Sequence, residues 1–222
     1  MINAGENIRK MANERYQKAR DKFVITCFLF VTPILLFVEI DNLGLAVLIL
    51  VVSWVCGFRF MKQFRQLLKE FHNANQGAQG EESTALVLSE LVNEGWKAEH
   101  GVVVPYWGDV DHFVCSPNQN CFVIDTKTDG GTVFFDGKML VKKYGNEVKS
   151  FARKKDILKS VKGQAVTMRN LKNVKYVTPV LCFDRANLDI KTIDNKIAGV
   201  YVLAQSSLIR VLKKLDKNLI KR

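Results

Sequence analysis

The stretch DHFVCSPNQNCFVIDTK, Asp111 to Lys127, decides how this chain reads. Two runs of strand-forming residues flank a turn-rich SPNQN segment, which predicts a hairpin. Side chains two apart on a strand share a face. Asp125 and Lys127 are therefore expected side by side. Asp111 opens the earlier strand and comes close to Asp125 across the pair, because directly opposed Cβ atoms lie about 5 Å apart. Two carboxylates so placed repel unless a cation sits between them. Oxygen donors of this kind suit Mg2+ or Mn2+. Such an ion polarises a phosphoryl oxygen and lowers the pKa of a bound water. Lys127 on the same face can orient or activate that water, or stabilise negative charge. The plainer alternative is a pair of solvated strand-end carboxylates beside a surface lysine.

The flanking elements add two residues to this face. Upstream, EESTALVLSELVNEG predicts a helix with Ala85, Leu88 and Val92 at helical spacing and Leu91 adjoining, stopped by Gly95. Glu81 lies four residues before Ala85, along that stripe, where a first-turn acid is also favoured by the helix dipole. Downstream, a long helix is expected from about Val148 to Leu171, with Ile157, Val161, Ala165 and Met168 as its buried stripe and Gln164 among them. A buried amide there needs a partner. Strands are expected at HGVVVP, in GTVFFDGKMLVKK around a hairpin at Asp136-Gly137, at KYVTPVLCF and at AGVYVL. A basic amphipathic helix, SSLIRVLKKLDKNLIKR, closes the chain. Helix, three strands, hairpin, helix, strand, strand, helix predicts an α/β or α+β arrangement around one sheet.

The N-terminal quarter is different. FVITCFLFVTPILLFV, Phe23 to Val38, and LGLAVLILVVSWVCGF, Leu43 to Phe58, are two apolar runs of nearly bilayer length. We expect a transmembrane hairpin over 23–58, with helices at about 23–40 and 42–58, between a basic segment (1–22) and a basic helix and linker (59–79). Arg9, Lys10, Arg15, Lys18, Arg20 and Lys22 precede it; Arg59, Lys62, Arg65 and Lys69 follow it; the loop carries Glu39 and Asp41. The positive-inside rule then places both termini and the C-terminal domain (80–222) on the cytoplasmic face of the plasma (inner) membrane. The five cysteines show no metal-ligand spacing and are expected as free, small buried residues in a reducing compartment. From Arg59 onward 27 basic residues face 17 acidic ones, a field that attracts nucleic acid or anionic lipid. No phosphate-binding glycine loop and no Ser-His-Asp arrangement is legible. His112 follows Asp111 and is expected on the opposite face of its strand.

Gly80-Glu81 opening a helix, VDHFVCSP, CFVIDTKTDGGTV and a helix with ILKSVKGQAVTMRNL occur in an order and spacing that resemble the nuclease-related domain, NERD, over about Gly80 to Phe183. That family belongs to the PD-(D/E)XK, restriction-endonuclease-like phosphodiesterases. The resemblance implies a mixed central sheet flanked by helices, with an αβββαβ core. It also implies a Mg2+- or Mn2+-dependent nuclease, a hydrolase acting on nucleic acid, DNA before RNA. It assigns Glu81, Asp111 and Asp125 as metal ligands, Lys127 as the residue that positions water or stabilises the transition state, and Gln164 as an orienting residue. The third-strand acid is more often glutamate in this family, and the segment after Lys127 departs from it. Glu82 and Asp109 are neighbouring acids. Lys149, Arg153, Lys154, Lys155, Lys159 and Lys162, with the C-terminal helix, are the expected phosphate contacts. A non-catalytic, membrane-tethered nucleic-acid-binding or scaffold protein with the same fold is the alternative.

Overall fold

The computed structural model describes residues 4–37, 42–151 and 156–220. Among them are four α-helices and two sheets in a mixed α/β arrangement. Two compact units divide the chain: residues 8–76, and residues 77–222 together with residues 1–7.

The first unit is helical. α1 runs Glu6–Phe37 and α2 runs Leu43–Asn93, continuing past this unit. α1 buries Ala12, Ala19, Thr26 and Pro33, spaced by seven residues, as a closely packed helical seam requires. Most large side chains of the apolar runs point outward: Phe28, Leu35, Leu48, Val52 and Phe58 are exposed. Among the described residues α2 alone is long and apolar enough to cross a membrane. Residues 38–41, the expected outer loop with Glu39 and Asp41, lie outside the described residues.

Asn73 to Gly80, expected as a linker, is helical within α2. Glycine and asparagine cost helix propensity, but Ala74, Ala78 and Glu81 are buried on one stripe with Thr84, Leu88 and Leu91. Packing of that stripe outweighs local preference. The stripe is also displaced from expectation, since Val92 is exposed. α2 ends in a Schellman motif: Trp96 N–H reaches the Leu91 carbonyl (3.1 Å), Gly95 N–H the Val92 carbonyl (3.0 Å), and Gly95 adopts φ +88°.

The second unit is built on a six-stranded sheet. Its strands are β1 (Lys97–Val104), β2 (Gly108–Cys115), β3 (Cys121–Lys127), β7 (Val177–Phe183), β9 (Lys196–Ile197) and β10 (Val200–Ala204), in the order β1-β2-β3-β7-β10-β9. β1, β2 and β3 form an antiparallel meander, β3, β7 and β10 run parallel, and β9 closes the edge antiparallel. One face packs on α3 (Ile157–Leu171) through Val123, Val161, Met168, Leu181 and Phe183. The other packs on the C-terminal turns of α2 and on α4 (Leu208–Ile220) through Leu88, Leu91, Phe122, Val180 and Leu212.

A four-stranded sheet, β6-β5-β4-β8, comprises β4 (Thr132–Phe135), β5 (Leu140–Tyr144), β6 (Glu147–Ser150) and β8 (Asn187–Asp189). The Asp136-Gly137 turn forms as a four-residue loop, its Asp136 Oδ1 accepting from the Lys138 (2.8 Å) and Met139 (2.7 Å) amides. The helix expected from Val148 begins instead at Ile157, capped by Asp156, whose side chain accepts from Leu158 and Lys159 N–H. Glu147–Ser150 is strand, joined to β5 through Gly145 (φ +57°) and Asn146, a two-residue hairpin loop of the kind Gly-Asn favours.

Cys115 and Cys121 are joined in a disulfide, contrary to the expectation of free thiols; Cys27, Cys56 and Cys182 are free. The two are direct partners across β2 and β3, with Cα atoms 4.1 Å apart.

α4 is tied to the same hairpin. Buried Asp216 accepts from Ser116 Oγ (2.5 Å), Asn118 Nδ2 (2.8 Å) and Asn120 Nδ2 (2.7 Å). Asp216→Ala takes the acceptor from Ser116, which is buried, and from Asn118 and Asn120, which are partly exposed, so we expect a loss of about 2 kcal/mol in chemical denaturation. Asp216→Asn, which keeps an acceptor oxygen, should lose less. Equal stability of wild type and Asp216→Ala would remove this tie from the account.

Candidate active site

β2 and β3 pair in a register that sets Cys115 against Cys121, Val114 against Phe122 and His112 against Ile124. One step further out, where the ladder ends, Asp111 falls opposite Asp125. The Asp111 carboxylate takes over the ladder's role there: its Oδ2 accepts the Thr126 backbone N–H at 2.6 Å. Asp125 is held centrally, between β2 and β7, and faces Leu181 in register. Lys127, two residues on, returns to the same face, and its Nζ lies 2.8 Å from Asp125 Oδ1.

Glu81 reaches this sheet end from α2. Gly80 makes the approach possible: a Cβ there would lie 2.0 Å from Thr128 Cγ2. Glu81 is buried, accepts from the Gly5 backbone N–H, and feels Asp125, Lys127 and Asp109 electrostatically. The segment before α1 therefore touches the site, a contribution with no signature in its composition. Asn7 Nδ2 also donates to Asp109 Oδ2 at 3.2 Å.

Gln164 is buried on α3, as expected, but faces the β1–β2 turn and not the carboxylates. Its Nε2 donates to the Asp109 carbonyl (2.8 Å), and among the described residues its Oε1 has no partner. Gly163 allows the turn to sit this close, since a Cβ there would meet the Trp107 ring at 2.2 Å. Gln164 acts on the entry to β2 and so only indirectly on Asp111. His112 lies on the opposite face, buried, with Nδ1 2.7 Å from His100 Nδ1 and Nε2 3.3 Å from Thr126 Oγ1. Burial, then the nearby His100, pushes its pKa to about 3, so His112 is neutral near pH 7, and in the Nδ1–Nδ1 contact one ring donates and the other accepts.

The electrostatics are those of crowded carboxylates. Burial, then Asp125, raises the Glu81 pKa from 4.5 to about 7. Burial, then Asp125 and Glu81, carries Asp111 well above the usual carboxylate range. Burial opposes the charge of Lys127, but Asp125 and Asp111 outweigh it and hold its pKa above the ordinary 10.5. A second ion pair, Lys142 with Asp129, stands beside this group, and Asp129 also acts on Lys127; neither residue stood out in the sequence.

Asp111, Asp125 and Lys127 are thus brought together, with Glu81 close enough to titrate with them. Among the described residues no three His, Cys, Asp or Glu side chains form a closed metal-ligand cluster. Two opposed, mutually destabilising carboxylates nevertheless fit Mg2+, which takes one or two carboxylates and keeps its waters. The expected basic face is divided. Lys149 is on β6 and pairs with Glu147, Lys159 and Lys162 are exposed on α3, and Arg153, Lys154 and Lys155 lie outside the described residues.

Residues 76–184 match the family model of the nuclease-related domain, NERD, which supports the resemblance read from the motifs. The match begins before Glu81 and ends after β7, so β8, β9, β10 and α4 lie beyond it. No curated protein and no solved structure matches the chain.

An acid whose folded pKa is raised keeps its proton in the fold over a range where the unfolded chain has lost it. Stability therefore falls as pH rises from about 4.5 through 7. For Glu81 the full shift corresponds to a loss of on the order of 3 kcal/mol. We predict that, in EDTA, unfolding free energy declines between pH 5 and 8, and that Glu81→Gln flattens the decline. An unchanged slope in Glu81→Gln would contradict this electrostatic picture.

Proposed function

We propose that this chain is a membrane-anchored, metal-dependent nuclease hydrolysing phosphodiester bonds of nucleic acid, DNA in preference to RNA. The observation that carries the reading is the pairing of Asp111 with Asp125 at the end of one strand pair, with Lys127 at 2.8 Å and Glu81 buried beside them. The match to a nuclease-related domain supports it. When bound by Asp111, Asp125 and Glu81, Mg2+ or Mn2+ would polarise the phosphoryl group and acidify an attacking water.

The chain's own groups do the rest. Lys127 stays an ammonium at neutral pH, so it stabilises charge on the phosphoryl oxygens and orients water, and does not act as a base. Thr126 N–H fixes the Asp111 carboxylate. Gln164 fixes the turn that feeds β2. Lys159 and Lys162, with the basic stretch 153–155, supply sequence-independent phosphate contacts. The apolar runs would anchor this domain, and the flanking charges orient both termini toward the cytoplasm. The Cys115–Cys121 disulfide pulls the other way, because such bonds persist in oxidising compartments.

A second reading, a membrane-tethered protein that binds nucleic acid without cleaving it, is favoured by the absence of a closed three-ligand cluster among the described residues. Full-length protein in detergent separates the two. We predict Mg2+- or Mn2+-dependent cleavage of plasmid and single-stranded DNA. Asp125→Asn and Lys127→Ala should each reduce it at least about a hundredfold, the scale of losing one electrostatic group at a reacting centre. Binding without cleavage in any metal would establish the second reading; full activity in both variants would discard the site. Protease accessibility of residues 80–222 in sealed vesicles tests orientation, and protection from protease added on the cytoplasmic side would overturn it.

A further inference from the structure

A cavity of about 720 Å³ lies between α4 and the β7-β10-β9 side of the large sheet, lined in part by Tyr176, Asp194, Lys196, Tyr201, Arg210 and Lys214. It is remote from the carboxylates. Thr178 also lines it and lies three residues before Leu181, the register partner of Asp125, so the two sites are about 10 Å apart along the strand. They also use opposite faces: Thr178 alternates with Leu181 on β7 and shares its face with Val180, which packs toward α4. Most of its lining falls beyond residue 184, outside the nuclease-related match.

Its chemistry is consistent along its length. Three cations, Lys196, Arg210 and Lys214, face a single acid, Asp194, which Lys214 already engages at 2.9 Å. Arg210 is exposed, and among the described residues it has no ion pair or hydrogen bond. Its fork of donors is free for a planar, doubly charged oxyanion. Two tyrosines supply rings. Tyr176 is 57% exposed at the rim, so its ring is open to a stacking partner. Tyr201 is half-buried, and its face already receives a cation, Lys196 Nζ, at 5.1 Å from the centroid. The wall between β8 and β9 turns through left-handed backbone at Asp194 (φ 57°) and Asn195 (φ 52°), residue types that adopt it readily.

We propose that this cavity is a binding site for a nucleoside phosphate, with the ring stacked on tyrosine and the phosphate held by Arg210 and Lys196. The volume suits a ligand of that size. Inorganic phosphate would leave the rings unused, and an acidic peptide would leave them without a planar partner. The ligand is either a free mononucleotide or one nucleotide of a bound strand. The site does not depend on the nuclease reading, because it shares no residue with the carboxylate group.

The test is calorimetric titration of the full chain in detergent, without divalent metal, so that no cleavage intervenes. The probes are adenosine 5′-monophosphate, inorganic phosphate and a six-nucleotide oligodeoxyadenylate. We expect saturable nucleotide binding, weakened about tenfold by Arg210→Ala and about fivefold or more by Tyr176→Ala. Lys138→Ala, at a distant hairpin tip, should bind as wild type does. Arg210→Lys should fall between wild type and Arg210→Ala, and melting temperatures of all variants should match wild type. Mononucleotide binding equal to that of the oligonucleotide identifies a free nucleotide as the ligand. Stronger oligonucleotide binding, equally sensitive to Arg210→Ala, identifies a strand. Phosphate binding as tightly as the mononucleotide, no binding by any probe, or binding indifferent to both substitutions would each overturn the proposal.

Discussion

One register governs this molecule. Because Cys115 pairs with Cys121 and His112 with Ile124, the ladder between β2 and β3 must bring Asp111 against Asp125 at its open end. A slip of one residue would turn every side chain of one strand to the other face. Asp111 would leave the carboxylate side, and His112 would leave its partners His100 and Thr126 for it. The register is pinned at both ends of the hairpin. The disulfide and the Asp216 clamp on Ser116, Asn118 and Asn120 hold the closed end. The Thr126 N–H bond to Asp111 holds the open end.

What this register assembles is electrostatically costly. Glu81, Asp111 and Asp125 share one ammonium, Lys127, in a place where water is largely excluded. A fold that gathers uncompensated acids loses stability unless protons or a cation relieve them. Two glycines allow the gathering. Gly80 lets α2 come down on Thr128 beside β3, and Gly163 lets the Trp107 turn settle on α3 so that Gln164 can hold it. A methyl group would meet the Thr128 side chain at the first position and the Trp107 ring at the second, so at either one a neighbour would have to shift.

Much of this was legible in the chain. The αβββ order, the face shared by Asp125 and Lys127, the burial of Gln164 and the placing of His112 on the opposite face of its strand all follow from period-two and helical spacing. The errors have specific causes. Asn73 to Gly80 has the local propensity of a linker, and the buried stripe of α2 overrides it. The start of α3 differs from expectation because Lys149 and its neighbours suit a strand as well as a helix, and the cap that starts the helix is Asp156. The disulfide follows from the same pairing: the register that sets Asp111 against Asp125 sets Cys115 against Cys121, although their spacing carries no metal-ligand or framework signature. Gly5, Asn7 and the Lys142–Asp129 pair could not have been found, because sequence distance carries no sign of their approach.

The central claim is that Asp111 and Asp125 form one cation-binding unit. Electron paramagnetic resonance of Mn2+ titrated into the full-length protein addresses it without relying on turnover. The account predicts bound Mn2+ that Mg2+ displaces, lost in both Asp111→Asn and Asp125→Asn. Binding of Mn2+ with unchanged affinity in both variants, or no bound Mn2+ in the wild type, would contradict it.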